Sequence, residues 1–104
     1  MMTALKKRAY ALENKFAYDQ TFMFKAEARR NALIGLWAAS EMHRQDADAY
    51  AQEVAVAHVT SPDGAFERVR DDLTAAGLPV DEDELRNRMV ALLRDVAREM
   101  YDGR

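Results

Sequence analysis

Apolar side chains recur every three or four positions along most of this chain, and this spacing restricts the fold more than any other feature. A period near 3.6 places such residues on one face of an α-helix. The last segment is the clearest case, because Leu85, Met89, Leu92, Val96 and Met100 fall on one side. No segment of useful length alternates with the period of two that is typical of a β-strand. The sequence therefore predicts an all-α fold.

The periodicity divides the chain into four or five amphipathic helices. The first is predicted over about residues 3–17, the second over 21–43, the third over 46–59 and the fourth over 61–76, and the last follows residue 81. Short connections favour antiparallel neighbours. We therefore expect a four-helix bundle with a loosely attached N-terminal helical segment. Residues 1–17 would form the N-terminal segment and residues 18–104 the bundle, within one domain.

Residues that start and stop helices support these boundaries. Ser61 followed by Pro62 is typical of an N-cap and first helical position, which opens the fourth helix. Gly77 suits the left-handed position after its end, where Leu78 folds back on the last turn and Pro79 prevents continuation. The sequence thus predicts a sharp stop for the fourth helix.

Further signals concern the other helices. Asp46 can cap the third helix, and Asp81 with Glu84 forms a variant capping box before the last. Gly35 lies inside the second helix, where glycine costs about 1 kcal/mol relative to alanine, so another backbone should pass close by.

The large apolar residues central to the strongest stripes are predicted to form the core. They are Trp37, Leu73, Leu92 and Val96.

Composition places the chain among folded proteins. Its 104 residues are 49% hydrophobic and 32% charged, which is too apolar for a disordered chain. There is no cysteine, which excludes disulfides and thiolate zinc sites and fits a reducing cytosol. No run approaches the roughly 20 apolar residues that span a bilayer, and no export signal is visible at the amino terminus. We expect a protein that is neither exported nor embedded in a membrane.

Charge is distributed unevenly. Residues 1–31 carry seven basic and three acidic side chains, a net charge of +4, whereas the remainder carries eight basic and fifteen acidic side chains, a net charge of −7. This polarity suggests that the first third faces an anionic partner. An uneven scatter of charge over solvated faces would give the same count.

Residues that carry catalysis or bind metals are sparse. His43 and His58 are too far apart in sequence for a helical ligand pair, and His43 suits a cation at a helix C-terminus. The acidic run at 81–84 lacks the spaced ligands and central glycine of a calcium loop. Phosphate-binding glycine motifs and a nucleophile elbow are absent. The sequence predicts no enzyme, no metal and no cofactor.

Three basic residues, Lys25, Arg29 and Arg30, lie close together on the second helix beside Phe22 and Phe24. Nucleic acid is disfavoured as their ligand because the rest of the chain would repel phosphate. Lipid is disfavoured because the apolar stripe of the basic first helix is thin. Protein recognition remains, since a helix with a narrow apolar stripe suits a groove on a partner. An ordinary helix that covers its own core would show the same stripe.

The stretch FKAEARRNALIGLWAA over 24–39, together with ENKFA over 13–17, resembles the zeta-subunit family of the alphaproteobacterial F-type ATP synthase. The resemblance continues through AYAQEV at 49–54, FERVRDDLTAAG at 66–77 and a final charged helix. It implies a four-helix bundle that binds the soluble catalytic head of the synthase, formed by its alpha, beta and gamma subunits, and inhibits ATP hydrolysis. It also implies a cytoplasmic location, peripheral to the inner membrane through the synthase.

The resemblance places the inhibitory element in the N-terminal helix, which wedges at a catalytic interface. By position, the partner-binding residues implied are Leu5, Arg8, Leu12, Glu13, Asn14, Lys15 and Phe16. Leu5 and Leu12 stand where the family tends to have phenylalanine, and Lys6 and Lys7 stand where many members have an acidic pair.

The alternative function is a nucleotide- or phosphate-sensing helical bundle. In that case Lys25, Arg29 and Arg30 would form a second basic site that holds phosphate weakly. A titration with ATP and ADP separates the two functions.

Overall fold

Residues 4–102 form four α-helices and one short 3₁₀ helix. The computed structural model describes the backbone of residues 4–102 and the side chains of residues 20–102, and no β-strand occurs in that part. Helix α1 spans Ala4–Glu41, α2 Ala47–Val56, α3 Gly64–Ala75 and α4 Glu82–Asp102, and the 3₁₀ helix Ala57–Val59 follows α2 directly. Helices α2, α3 and α4 all contact α1. The predicted all-α fold is confirmed.

Helix α1 is a single element of 38 residues, roughly 57 Å long at 1.5 Å per residue. The prediction of two helices separated near residues 18–20 was therefore wrong. Tyr18, Asp19 and Gln20 include neither glycine nor proline, so nothing in the backbone stops the first helix before the second begins.

The end of α1 is formed by a histidine in the left-handed conformation. His43 has a φ of 55°, and its N–H bonds the Ser40 carbonyl at 3.1 Å while the Arg44 N–H bonds the Ala39 carbonyl at 2.9 Å. This is the hydrogen-bond pattern of a Schellman C-cap. His43 thus occupies the position usually held by glycine, a role that its charge alone did not predict.

Helices α1 and α2 approach very closely. A Cβ added to Gly35 would lie 2.9 Å from the Ala51 Cα atom and 3.1 Å from the Val54 Cβ atom. Ala38 and Ala39 on α1 are also fully buried. The close approach predicted from Gly35 is confirmed, because only a residue without a side chain leaves room for the α2 backbone.

Helix α2 begins directly after Asp46, as predicted, but the carboxylate of Asp46 makes no capping bond. Its two oxygens instead accept hydrogen bonds from the Arg44 guanidinium, both at 2.8 Å. This ion pair lowers the pKa of Asp46. The position of the cap was right and its mechanism was wrong.

The fourth predicted helix, α3, begins later than expected. The Ser61 carbonyl accepts a hydrogen bond from the Gly64 N–H at 2.9 Å, so Ser61, Pro62 and Asp63 form a turn before the helix. A Cβ on Gly64 would lie 2.1 Å from the Ala57 carbonyl oxygen. The first residue of α3 is therefore fixed by contact with the 3₁₀ helix rather than by the Ser61–Pro62 signal.

The connection between α3 and α4 follows the prediction. Gly77 has a φ of 81°, its N–H bonds the Thr74 carbonyl, and the Leu78 N–H bonds the Leu73 carbonyl, both at 3.0 Å. Asp81 Oδ1 then accepts the Glu84 N–H at 3.2 Å. Both the Schellman stop and the Asp81 cap are confirmed.

The core lies between α1 and the three shorter helices. Of the four predicted core residues, Leu73 and Val96 are buried, whereas Trp37 and Leu92 are half-buried at its margin. The prediction was wrong for these two because size and stripe position do not show how completely a neighbouring helix covers a side chain. The largest fully buried apolar side chains include one predicted residue, Val96. The others are Tyr50, Ile34, Val54 and Val69.

Candidate functional site

The N-terminal residues predicted to bind a partner lie in the first half of α1. Their side chains lie outside the described residues, so the structure does not test this prediction. They are Leu5, Arg8, Leu12, Glu13, Asn14, Lys15 and Phe16. Along the described part of α1, buried side chains begin at Ala26.

The three residues of the predicted second basic site do not converge. Lys25 and Arg29 are one helical turn apart and exposed, whereas Arg30 is half-buried and directed toward α4. Its Nε donates to Asn31 Oδ1 at 2.8 Å and its Nη1 donates to the Met89 carbonyl at 3.3 Å. Burial lowers the pKa of the Arg30 guanidinium, an effect that Glu27 partly offsets. Arg30 therefore joins two helices, and only Lys25 and Arg29 present charge to solvent.

A cavity of about 170 Å³ adjoins Arg30. Asn31, which is 1% exposed, lies at its edge. His58 Nδ1 donates a hydrogen bond to the Ala55 carbonyl at 2.8 Å, and its buried Nε2 has no partner among the described residues. Arg86 closes the cavity by stacking over the Phe66 ring at 3.8 Å. The lining combines cationic, acidic, neutral polar and aromatic groups, because Glu27 and Asp63 also adjoin the cavity.

A larger groove of about 300 Å³ lies where the C-terminal end of α1 meets the connection from α3 to α4. Trp37 forms one wall, with the Arg88 guanidinium stacked over its ring at 4.3 Å. We call this the Trp37 groove. Its apolar lining comes from Trp37, Leu73, Leu78, Pro79, Val80 and Leu85, and its charged lining from Glu41, Asp81, Glu84 and Arg88.

A hydrogen-bonded network joins α2 to α3. The hydroxyl of the fully buried Tyr50 donates to Asp72 Oδ2 at 2.8 Å, and Arg68 bonds the same oxygen at 2.6 Å and Glu53 at 2.7 Å. Burial and the bond to Asp72 raise the pKa of Tyr50 above its ordinary range. Every charged member of this network is paired, so it serves the packing of two helices.

No group of three or more potential metal ligands lies together within residues 20–102. Over the same part of the chain, no helix has the length and apolar character needed to cross a membrane.

Sequence reasoning missed the two grooves and their arginines. Asn31 carried a usable signal, because it is a polar residue on the face of α1 that also holds Ile34 and Ala38. Arg86 and Arg88 carried none, since their aromatic partners lie on other helices and their stacking depends on how α4 is placed. Polar residues inside an apolar face are therefore the ones that sequence alone can nominate.

These features define a small, all-helical protein whose distinctive surfaces are grooves and exposed charges suited to contacts. A family model for the ATPase inhibitor subunit zeta matches residues 2–99, and the chain belongs to that family. The resemblance seen in the central α1 motif is thereby confirmed. No curated protein matches the chain.

Proposed function

We propose that this chain is a non-catalytic regulatory subunit that binds the soluble catalytic head of an F-type ATP synthase and inhibits ATP hydrolysis. Its membership of the ATPase inhibitor subunit zeta family over residues 2–99 is the observation that carries the proposal. The alpha, beta and gamma subunits of the head would be the partners, and the chain would be cytoplasmic and peripheral to the inner membrane. Inhibition by this route needs no cofactor, because binding of the chain is itself what prevents hydrolysis.

In this proposal the N-terminal segment, residues 1–17, inserts into the head, while residues 18–104 form a helical bundle that supplies bulk and position. Leu5 and Leu12 are seven residues apart and Phe16 follows four later, so all three share one side of a helix. Such apolar anchors, desolvated in a pocket, supply most of the affinity of an interface. The neighbouring Arg8, Glu13, Asn14 and Lys15 would set register and speed the encounter. These seven residues together form the proposed contact surface.

The proposed mechanism is steric. Hydrolysis by a rotary head requires its subunits to change conformation, and motions of this kind often limit turnover. A helix inserted at a catalytic interface blocks such a step without touching the reacting atoms. Continuity of α1 supports this role, because the inserted part and the part packed in the core belong to one helix of 38 residues.

The test is ATP hydrolysis by the purified soluble head in the presence of the tagged full-length chain or a variant that lacks residues 2–17. We expect the full-length chain to inhibit and to co-purify with the head. The truncated chain should keep its helical circular dichroism per residue and lose the inhibition. Equal inhibition by both proteins would contradict an N-terminal mechanism.

A charge-reversed variant sharpens this test at Lys6 and Lys7. If their charge opposes docking, replacing both with aspartate increases inhibition, and if they pair with acidic residues of the head the same change weakens it. The matched control is Arg94→Asp with Arg98→Asp, an equal reversal on the exposed face of α4. A similar effect of both variants would show that net charge alone is responsible.

A further inference from the structure

The Trp37 groove has the chemistry of a docking site for a basic, apolar helix. Its apolar residues come from α1, α3, α4 and the connection between them, and three carboxylates, Glu41, Asp81 and Glu84, stand around it against the single cation Arg88. Arg88 is already stacked on Trp37. The groove therefore presents a net negative charge around an apolar lining.

The N-terminal segment, residues 1–17, has the complementary chemistry. It carries four basic residues and one acidic residue, a net charge of +3, and its large apolar side chains recur on one helical side. A cavity of about 300 Å³ is at the lower end of ligand-site volumes, which suits one or two anchoring side chains such as Leu12 and Phe16. Lys15 and Arg8 would then lie near the carboxylates.

The segment cannot enter the groove of its own chain. Phe16 and Trp37 belong to the same uninterrupted helix, and the 21 residues that separate them correspond to roughly 32 Å along its axis. A helix without a break cannot fold back on itself. The occupant must therefore come from another molecule.

We infer that the Trp37 groove binds the N-terminal segment of a second copy of this chain. Reciprocal exchange of the two segments gives a closed dimer with twofold symmetry, in which each copy uses the same pair of surfaces. A consequence, which rests on the proposed function, is that the dimer sequesters the inhibitory segment. Inhibition per chain then falls as the concentration of free protein rises.

The first test is sedimentation velocity of the full-length chain over a range of concentrations, read together with tryptophan emission. Trp37 is the only tryptophan in the chain, so emission reports directly on the groove. We expect a shift from one to two chains per particle with rising concentration, accompanied by a shift of emission to shorter wavelength. A single chain at every concentration would overturn the inference.

The second test uses charge reversal. Glu41→Lys with Glu84→Lys should raise the dimer dissociation constant by at least about tenfold, because like charges then face each other. Adding Arg8→Glu and Lys15→Glu to that variant should restore dimerisation. The matched control is Asp95→Lys with Glu99→Lys, an equal change at exposed positions of α4 outside the groove. Circular dichroism verifies that each variant is folded.

Dimerisation that responds equally to the control, or that the added glutamates fail to restore, would overturn the assignment of the groove. The hydrolysis assay separates the two proposals. If the chain inhibits hydrolysis but never dimerises, the proposed function stands and the inference about the groove is wrong. If it dimerises through the groove without inhibiting hydrolysis, the inference stands and the proposed function is wrong.

Discussion

The two sides of α1 pack in opposite ways. Toward α2 the contact is made at Gly35, where the Ala51 backbone is close enough to exclude a methyl group. Toward α4 the contact includes long side chains, since Arg30 bonds the Met89 carbonyl and Arg88 lies over Trp37. The first contact has no room for a methyl group at Gly35, whereas both described cavities adjoin α4.

This difference shows how a small protein obtains both a fixed frame and surfaces for recognition. Small residues bring two backbones together and fix their register, because displacement in any direction produces a clash. Arginines that stack on aromatic rings keep a charged end near solvent while their stems cover apolar surface. Recognition surfaces are therefore expected on the α4 side, where both described cavities lie.

The largest difference between the two sides should appear when buried methylene groups are removed. Ile34→Ala, at a fully buried position of α1, should lower the free energy of unfolding by about 2–5 kcal/mol. Leu92→Ala, on the half-buried margin of α4, should cost less than about 2 kcal/mol. Urea denaturation measures both values. An equal loss at the two positions would remove the distinction between a filled and an open side.

Gly35→Ala tests the close contact directly. Alanine gains about 1 kcal/mol of helix propensity over glycine, yet its Cβ would meet the Ala51 Cα at 2.9 Å, so we expect a net loss of about 1–3 kcal/mol. Gly77→Ala is the control, because that position has open space and only a positive φ to maintain. It should cost about 1 kcal/mol. Stabilisation by Gly35→Ala, in the same urea titration, would mean that the helices can separate freely.

The network between α2 and α3 gives a pH dependence. The pKa of Tyr50 is raised in the folded state, so the unfolded chain loses this proton near pH 10 while the folded chain keeps it. The stabilisation that comes from the raised pKa of Tyr50 is fully present below that pH. As the pH rises further, the free energy of unfolding falls by about 1.4 kcal/mol per pH unit. Denaturation at several values above pH 9 measures the slope. Tyr50→Phe should reduce it, and an unchanged slope would assign the effect to other groups.

The smallest expected effect lies at the turn between α1 and α2. His43 has a φ of 55°, which glycine adopts without steric cost, so His43→Gly should raise the free energy of unfolding by about 0.5–1 kcal/mol. His43→Ala should not, because alanine keeps the penalty for the left-handed conformation. Thermal melts of the three proteins provide the comparison. A gain with alanine would show that the imidazole, rather than the backbone, is unfavourable.

Local signals in the sequence predicted the fold well wherever one residue decides the structure. Gly77 requires a left-handed turn, Asp81 offers an oxygen to a helix start, and Gly35 admits a second backbone, and all three predictions were right. The break near residue 18 was wrong because no residue there stops a helix, since Tyr18, Asp19 and Gln20 include neither glycine nor proline. Ser61 was wrong for a related reason, since contact of Gly64 with Ala57 displaces the helix start.

The candidate sites were harder to predict. Lys25, Arg29 and Arg30 are neighbours in sequence, but a step of 100° per residue directs Arg30 toward α4. The Trp37 groove depends on the placement of four elements relative to one another, and no local pattern contains that information. The α2 helix was predicted, yet the bond from Tyr50 to Asp72 joins residues on different helices and is not visible as a pattern in either segment.

The uninterrupted course of α1 also has a mechanical consequence. A pulling force applied near Ala4 is transmitted along one continuous helix to the turns that contain Ile34 and Gly35. The backbone between these points has no break at which α1 could bend back. Under tension such a helix yields by losing one backbone hydrogen bond after another from the loaded end. This loss should become harder at the turn that contains Ala26, the first buried side chain of the described part, since further extension must also pull apolar surface out of the core. The force needed to unwind α1 is therefore expected to rise where its buried side chains begin.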